Sequence, residues 1–319
     1  MKKGITVAGS ILADKINVID GFPKAGELTK IRATELSVGG CVPNVATDLK
    51  KLDNALPVYA SGKIGADDEG KFVIDTLSRA GVDVSAIKTS KTDKTSFTDV
   101  MSVAGGERTF FTYAGASADY GFSDIDFGDL AEMLHLGYFL LLDKVDNGDG
   151  LKILKKAAEA GVKTSIDLVS ENSDRYSVIV PCLKYTDNLI INEIEAGKIA
   201  GIEPKKGNIR AIAEKLRSFG VKERVVIHLP EKGVCLSESG YTEVASLDLP
   251  QGFVKGSTGA GDAFCAGTLL GIYKGYDDEA ILKLASSAAA MSLRYADATS
   301  GVVSEEETAK LCEKFKRKF

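Results

Sequence analysis

A chain of 319 residues, 44% hydrophobic and 27% charged with a formal charge of -5, has the makeup of an ordinary globular protein. The acidic balance argues against a general nucleic-acid binder, and no segment has the long apolar run that a membrane span needs. The cysteines at 41, 182, 235, 265 and 312 lack any Cys-x-x-Cys spacing, and His135 and His228 are the only histidines, so disulfides, a zinc site and a His-rich metal site are not expected.

Met1-Lys2-Lys3 runs directly into Ile5–Gly9, which reads as a first strand and not as a signal peptide; with reduced thiols, this places the chain in the cytoplasm. Lys15–Ile19 and Leu28–Leu36 are extended stretches on either side of a Gly/Pro-containing turn. Gly39-Gly40 precede a short helix with Val45, Leu49 and Leu52 on one face. Ser96–Val103 and Arg108–Tyr113 read as strands joined by the hairpin turn Ala104–Glu107. These extended pieces form either a small antiparallel sheet attached as a flap or plain surface decoration. From about residue 120 the pattern alternates: a helix with Leu151, Leu154 and Ala158 on one face, the strand Val162–Leu168, the apolar run Leu189–Ile191, the helix Ile209–Phe219 and the strand Arg224–Leu229. Such alternation predicts an α/β fold with a parallel sheet covered by helices on both faces, and ligands bound beyond the carboxyl ends of the strands. The basic tail Lys314–Lys318 reads as a solvated helix end.

Three short motifs carry chemistry. Gly256-Ser257-Thr258-Gly259-Ala260-Gly261-Asp262 is a glycine-rich turn that opens a helix, and the unpaired amides of a helix start make a seat for phosphate oxygens. Asp262, beside that anion site, either takes a proton from an attacking hydroxyl or stabilises the helix N-terminus. Asn44, after Gly39-Gly40, either caps its helix or offers an amide that can donate to and accept from a polyol, and Asp14 can accept from adjacent hydroxyls. Asn192-Glu193-Ile194-Glu195, after the buried strand, either places a carboxylate near a water of Mg²⁺ or stabilises a helix start. There is no P-loop, and Phe264 takes the place of the last glycine of a dinucleotide fingerprint.

Taken in order, these segments resemble the PfkB or ribokinase-like family of carbohydrate and nucleoside kinases over nearly the whole chain. Gly9–Asp14 and Phe22–Glu27 look like its opening strand and first lid segment. Gly39-Gly40-x-x-x-Asn44 and Gly259-Ala260-Gly261-Asp262 look like its two signatures, and Asn192-x-x-Glu195 like its Asn-x-x-Glu element. The resemblance implies one doubly wound α/β domain over residues 1–319, with a β-sheet lid contributed by about 12–36 and 95–118. It implies that Asp262 is the base, that Gly259, Ala260 and Gly261 form an anion hole, and that Asp14, Gly39, Gly40 and Asn44 contact a sugar. Asn192, Glu195, His228, Gly233, Thr258, Gly261 and Ser286 would serve ATP, with Glu195 reaching Mg²⁺ through water, and pairing through the lid makes a homodimer plausible.

The departures are specific. Gly256 stands where the second signature opens with Asp, and Asp297 where such enzymes often carry a glycine; both count against potassium activation. The nucleotide loop reads His228-Leu229-Pro230-Glu231-Lys232-Gly233, in which Pro230 removes a backbone donor, and Ser286 replaces a frequent Asn. Leu12 and Cys41 replace an Asn and a Lys, which leaves the sugar open. The expectation is an ATP-dependent sugar kinase; a nucleoside kinase of the same fold and a sugar sensor without turnover are the alternatives.

Overall fold

Runs such as Leu189-Ile190-Ile191 and Val225-Val226-Ile227, apolar without alternation, suit strands covered on both faces, and the computed structural model buries them in that way. They belong to an eight-stranded sheet in the spatial order 240–245, 232–237, 224–228, 188–192, 163–168, 131–139, 2–9 and 58–61. Neighbours from 224–228 through 58–61 are parallel, and the two strands at the opposite edge are added as antiparallel hairpins. The structure describes residues 1–103, 108–205 and 207–318.

The chain steps outward from 2–9 to the edge strand 58–61 and then returns to 131–139 on the other side. The winding therefore reverses between 2–9 and 131–139, which opens a crevice at their carboxyl ends. Helices 41–52, 68–79, 260–273 and 278–292 cover one face with a core that includes Val45, Leu49, Val73, Leu269 and Ile281. Helices 150–159, 193–200 and 209–218 cover the other through Ile153, Leu154, Ile199, Ile212 and Leu216. In the first of these, Ile153, Leu154 and Ala157 are buried while Leu151 and Ala158 are only half-buried, so the apolar face is rotated from the predicted one. Among the described residues no helix is long and apolar enough to cross a membrane.

A separate four-stranded sheet is ordered 31–39, 12–19, 96–103, 108–113. It is not antiparallel as expected: 12–19 and 96–103 run parallel, and only the outer pairs are antiparallel. The reason is topological. Two helices and an edge strand of the large sheet lie between the central strands, and such a crossover returns the chain in the same direction. The strand predicted at Leu28–Leu36 runs instead from Ile31 to Gly39, and the expected hairpin turn Ala104–Glu107 lies outside the described residues. Neither face of the outer part of this sheet is covered: Ile31 to Leu36, Phe110, Phe111 and Tyr113 are exposed.

Candidate active site

The glycine turn closes in a way that only glycine allows. Gly259 has φ +77°, and a Cβ there would lie 2.5 Å from the Ala298 Cα. Helix Ala260–Tyr273 starts immediately after it, so the first-turn amides have no intrahelical partner. Gly259, Gly261 and Asp262 line a cavity of about 180 Å³, shared with Tyr138, Asp167, Glu195 and His228. Asp262 is 6% exposed, and its Oδ2 accepts from Asn44 Nδ2 at 2.9 Å and from the Tyr138 hydroxyl at 3.0 Å. Burial, reinforced by the charge of Asp167, pushes its pKa up to about 7, against the two hydrogen bonds that favour the carboxylate. It is thus poised between acid and base near neutral pH.

Asn44 is not a helix cap. Helix Cys41–Leu52 begins after Gly40, and Ser10 satisfies its start: Ser10 Oγ accepts from the Cys41 amide at 3.1 Å and Ser10 O from that of Val42 at 3.1 Å. The side chain of Asn44 is thereby released to reach across to Asp262, which joins the two glycine motifs. Asp14 lies flat on Gly39, where a Cβ would come within 2.3 Å of its carboxylate. Burial raises the Asp14 carboxyl to about 6, opposed by a hydrogen bond from Thr98, and its charge adds to the upward push on Asp262. Asp14, Gly39, Gly40, Asn44 and Asp262 therefore converge.

Several participants had no sequence signal of their own. Tyr138 ends the strand Ala131–Phe139 with φ +60°, a strained conformation for a bulky residue, and nearby Leu140 has φ +78°. Its amide donates to Asp167 Oδ1 at 2.6 Å and its hydroxyl to Asp262. Asp167 Oδ2 lies 3.3 Å from His135 Nε2, His135 Nδ1 lies 3.0 Å from Ser165 Oγ, and Cys265 Sγ lies 3.5 Å from His135 Nε2. With Cys41 Sγ at 4.0 Å from Asp167 Oδ2, this is a buried polar cluster whose members satisfy one another. Asp167 was within reach of sequence reasoning, because it stands near the carboxyl end of a strand that was predicted.

On the other side of the cavity, Asn192 caps helix Glu193–Ala200 by accepting from the Ile194 and Glu195 amides at 3.0 and 2.9 Å. Glu195 answers by accepting from the Asn192 amide at 3.1 Å, and its other oxygen accepts from Ser170 at 2.8 Å. The helix start read from sequence as one alternative is present, and Asn192 and Glu195 also line the cavity, where burial raises Glu195 to about 7. His228, its ring centroid 5.0 Å from that of Phe264, is lowered to about 4 by burial and is neutral at pH 7. Gly233 and Ser286 are not among the residues that line this cavity. Gly233 sits in a hairpin strand against the ring of Phe264, and Ser286 Oγ donates to Lys283 O and accepts from Arg317. Thr258 receives an unforeseen partner, Arg108 of the small sheet, whose Nη1 donates to its hydroxyl at 3.1 Å. Asn192, Glu195 and Asp167 together present oxygen ligands of the kind that suits a hard cation such as Mg²⁺.

A buried carboxyl with a raised pKa, at a helix start whose first amides lack intrahelical partners, can take a proton from a hydroxyl while such amides hold an anion. Comparison with known proteins places the chain among kinases. The sequence pattern described as pfkB family carbohydrate kinase matches residues 2–305. A ribokinase of Arabidopsis thaliana is 25% identical over 96% of this chain and 80% of its own length. An adenosine kinase of Saccharomyces cerevisiae is 24% identical over 84% of this chain and 81% of its own. The structure of Arabidopsis thaliana ribokinase complexed with ribose and ATP superposes with a TM-score of 0.85 at 24% identity, covering 98% of this chain and 99% of that one.

Proposed function

The chain belongs to the pfkB family of carbohydrate kinases, phosphotransferases with an alcohol group as acceptor, and we propose that it transfers the γ-phosphoryl of ATP to a hydroxyl of a small carbohydrate with Asp262 as general base. The observation that carries this reading is the meeting of Asn44 and Tyr138 on one buried carboxylate in the first turn of helix Ala260–Tyr273. The substrate hydroxyl gives its proton to Asp262 as its oxygen bonds to the γ-phosphorus. The bond from that phosphorus to the bridging oxygen breaks, and ADP carries away the electron pair. Amides of Gly259, Ala260 and Gly261 hold the charge on the transferring group, a task of positioning and electrostatics. Asp14 and Asn44, seated against Gly39 and Gly40, orient the sugar hydroxyls.

Mg²⁺, held through water by Glu195 beside Asn192, would neutralise phosphate charge. His228 and Thr258 face the nucleotide, and Arg108, already on Thr258, is placed to meet phosphate oxygens as the small sheet closes as a lid. Exposed Ile31, Leu36, Phe110 and Phe111 on that sheet support pairing of two copies through it. A second reading, a nucleoside acceptor, is favoured by the same exposed aromatics, which suit a base, and by the yeast adenosine kinase relationship.

An ATP-consumption screen over pentoses, hexoses, sugar acids and nucleosides, with product identified by mass, tests the assignment. ADP formed one-for-one with a sugar phosphate is expected. Turnover of nucleosides alone would replace the acceptor class, and binding of a sugar with no ADP formed would indicate a sensor.

A further inference from the structure

A thiol, an imidazole and a carboxylate meet beneath the cavity. Cys41 opens helix Cys41–Leu52, His135 lies in strand Ala131–Phe139 and Asp167 in strand Lys163–Leu168. Cys41 and His135 are 0% exposed and Asp167 is 7% exposed. One ligand atom of each lies within 4.8 Å of the other two, the one such group among the described residues. Asp167 Oδ2 is 3.3 Å from His135 Nε2 and 4.0 Å from Cys41 Sγ, and Cys265 Sγ is 3.5 Å from the same nitrogen. A tetrahedral Zn²⁺ with bonds of about 2.0 Å to nitrogen and oxygen and about 2.3 Å to sulfur holds its N and O ligands about 3.3 Å apart and its S and N ligands about 3.5 Å apart. Two edges of that tetrahedron are therefore already formed, and the Cys41 edge needs only a small closure. The ring is oriented for the task. Ser165 Oγ donates to the Leu134 carbonyl at 3.4 Å and accepts from His135 Nδ1 at 3.0 Å, which turns the Nε2 lone pair toward Asp167 and the thiols. Gly137 keeps the space open, since a Cβ there would run into Cys41 Sγ.

We propose that Cys41, His135 and Asp167 form a binding site for Zn²⁺, with the Cys265 thiol at hand for the fourth position. Thiolate and imidazole select a metal of this kind over Mg²⁺, which prefers oxygen. One thiolate and one carboxylate balance its two charges. Protons link these atoms in the metal-free cluster; on binding, the Cys41 S–H bond breaks, an S–Zn bond forms and the proton leaves to solvent. Asp167 and Cys265 line the cavity, which gives the ion a way in. The ligands stand at 41, 135 and 167, so spacing along the chain gave no reason to expect zinc. A metal here would cancel the charge by which Asp167 acts on Asp262. That consequence rests on the proposed function; the site does not.

Titration of the whole, metal-stripped chain with Zn²⁺ against a chromogenic chelator, in excess Mg²⁺ to fill oxygen sites, tests the proposal without any assay of turnover. One Zn²⁺ bound per chain is expected, and Co²⁺ in its place should give a sulfur-to-cobalt charge-transfer band. Ser165→Ala, which frees the ring, should weaken Zn²⁺ binding by about 10- to 100-fold, and Cys41→Ser by more. Cys312→Ser, a thiol far along the chain, should change nothing. No Zn²⁺ taken from the chelator overturns the proposal, as does binding that is undiminished in Cys41→Ser. If Cys41→Ser does not fold, X-ray absorption of the wild-type zinc complex decides: sulfur and imidazole in one shell are expected, and sulfur without imidazole, or oxygen alone, overturns the site. Absence of kinase turnover in the metal-free wild type would bear on the proposed function and leave these results untouched.

Discussion

The two halves of the cavity are built differently. On the proposed acceptor half, groups from separate segments act on one carboxylate: Asn44 from helix 41–52 and Tyr138 from near a strand end by hydrogen bonds, and Asp14 from the small sheet by its charge. On the nucleotide half, polar groups serve local structure first, as in the Asn192–Glu195 capping box, and the neutral His228 packs on Phe264. The difference follows from what each half must do. Proton abstraction needs a carboxyl whose pKa is set by burial and a few fixed bonds, whereas a nucleotide can be held by backbone groups, by solvated cations and by an arm that closes. The acceptor half is therefore expected to respond to single substitutions more steeply.

The largest effect should come from Asp262→Asn, which keeps the shape and removes the base. Initial rates should fall by about 100- to 10,000-fold while the acceptor still binds, and undiminished turnover would sink the comparison at once. On the nucleotide half, Arg108→Ala should lower kcat/KM by about 10- to 100-fold through loss of charged hydrogen bonds, read from ATP titrations. An unchanged rate would mean that its bond to Thr258 is only a surface contact. Glu195→Gln should shift the Mg²⁺ concentration for half-maximal rate by about tenfold, the scale for outer-shell groups. A proportionate loss at saturating Mg²⁺ would show that the damage is to the helix start instead.

The smallest effect concerns stability. Asp262 and Glu195, raised to about 7, and Asp14, raised to about 6, bind protons in the folded chain that the unfolded chain has already released. Between their unfolded values and those raised values, the native state thus holds more protons, so stability should decrease as pH rises through that window. Tm measured across it should slope downward, and less so in Asp262→Asn; an upward slope would contradict the burial of these groups.

How much of this was legible in the sequence depended on whether a feature was contiguous. Gly259–Asp262 and Asn192–Glu195 each lie within a few residues, and Gly259, Gly261, Asp262, Asn192 and Glu195 line one cavity. Tyr138, Asp167 and Arg108 enter from strands far apart in the chain, and only the strand order brings them to the turn. The scattered Cys41, His135 and Cys265 looked unrelated for the same reason.

The most direct test is the pH dependence of kcat/KM for the preferred acceptor at saturating Mg-ATP. With Asp262 as the base, the rate should rise with pH through about 7 as the carboxyl ionises. Tyr138→Phe, which removes a bond that favours the carboxylate, should move that limb upward. A wild-type profile flat across neutral pH, or one whose limb persists in Asp262→Asn, would contradict the assignment of the base.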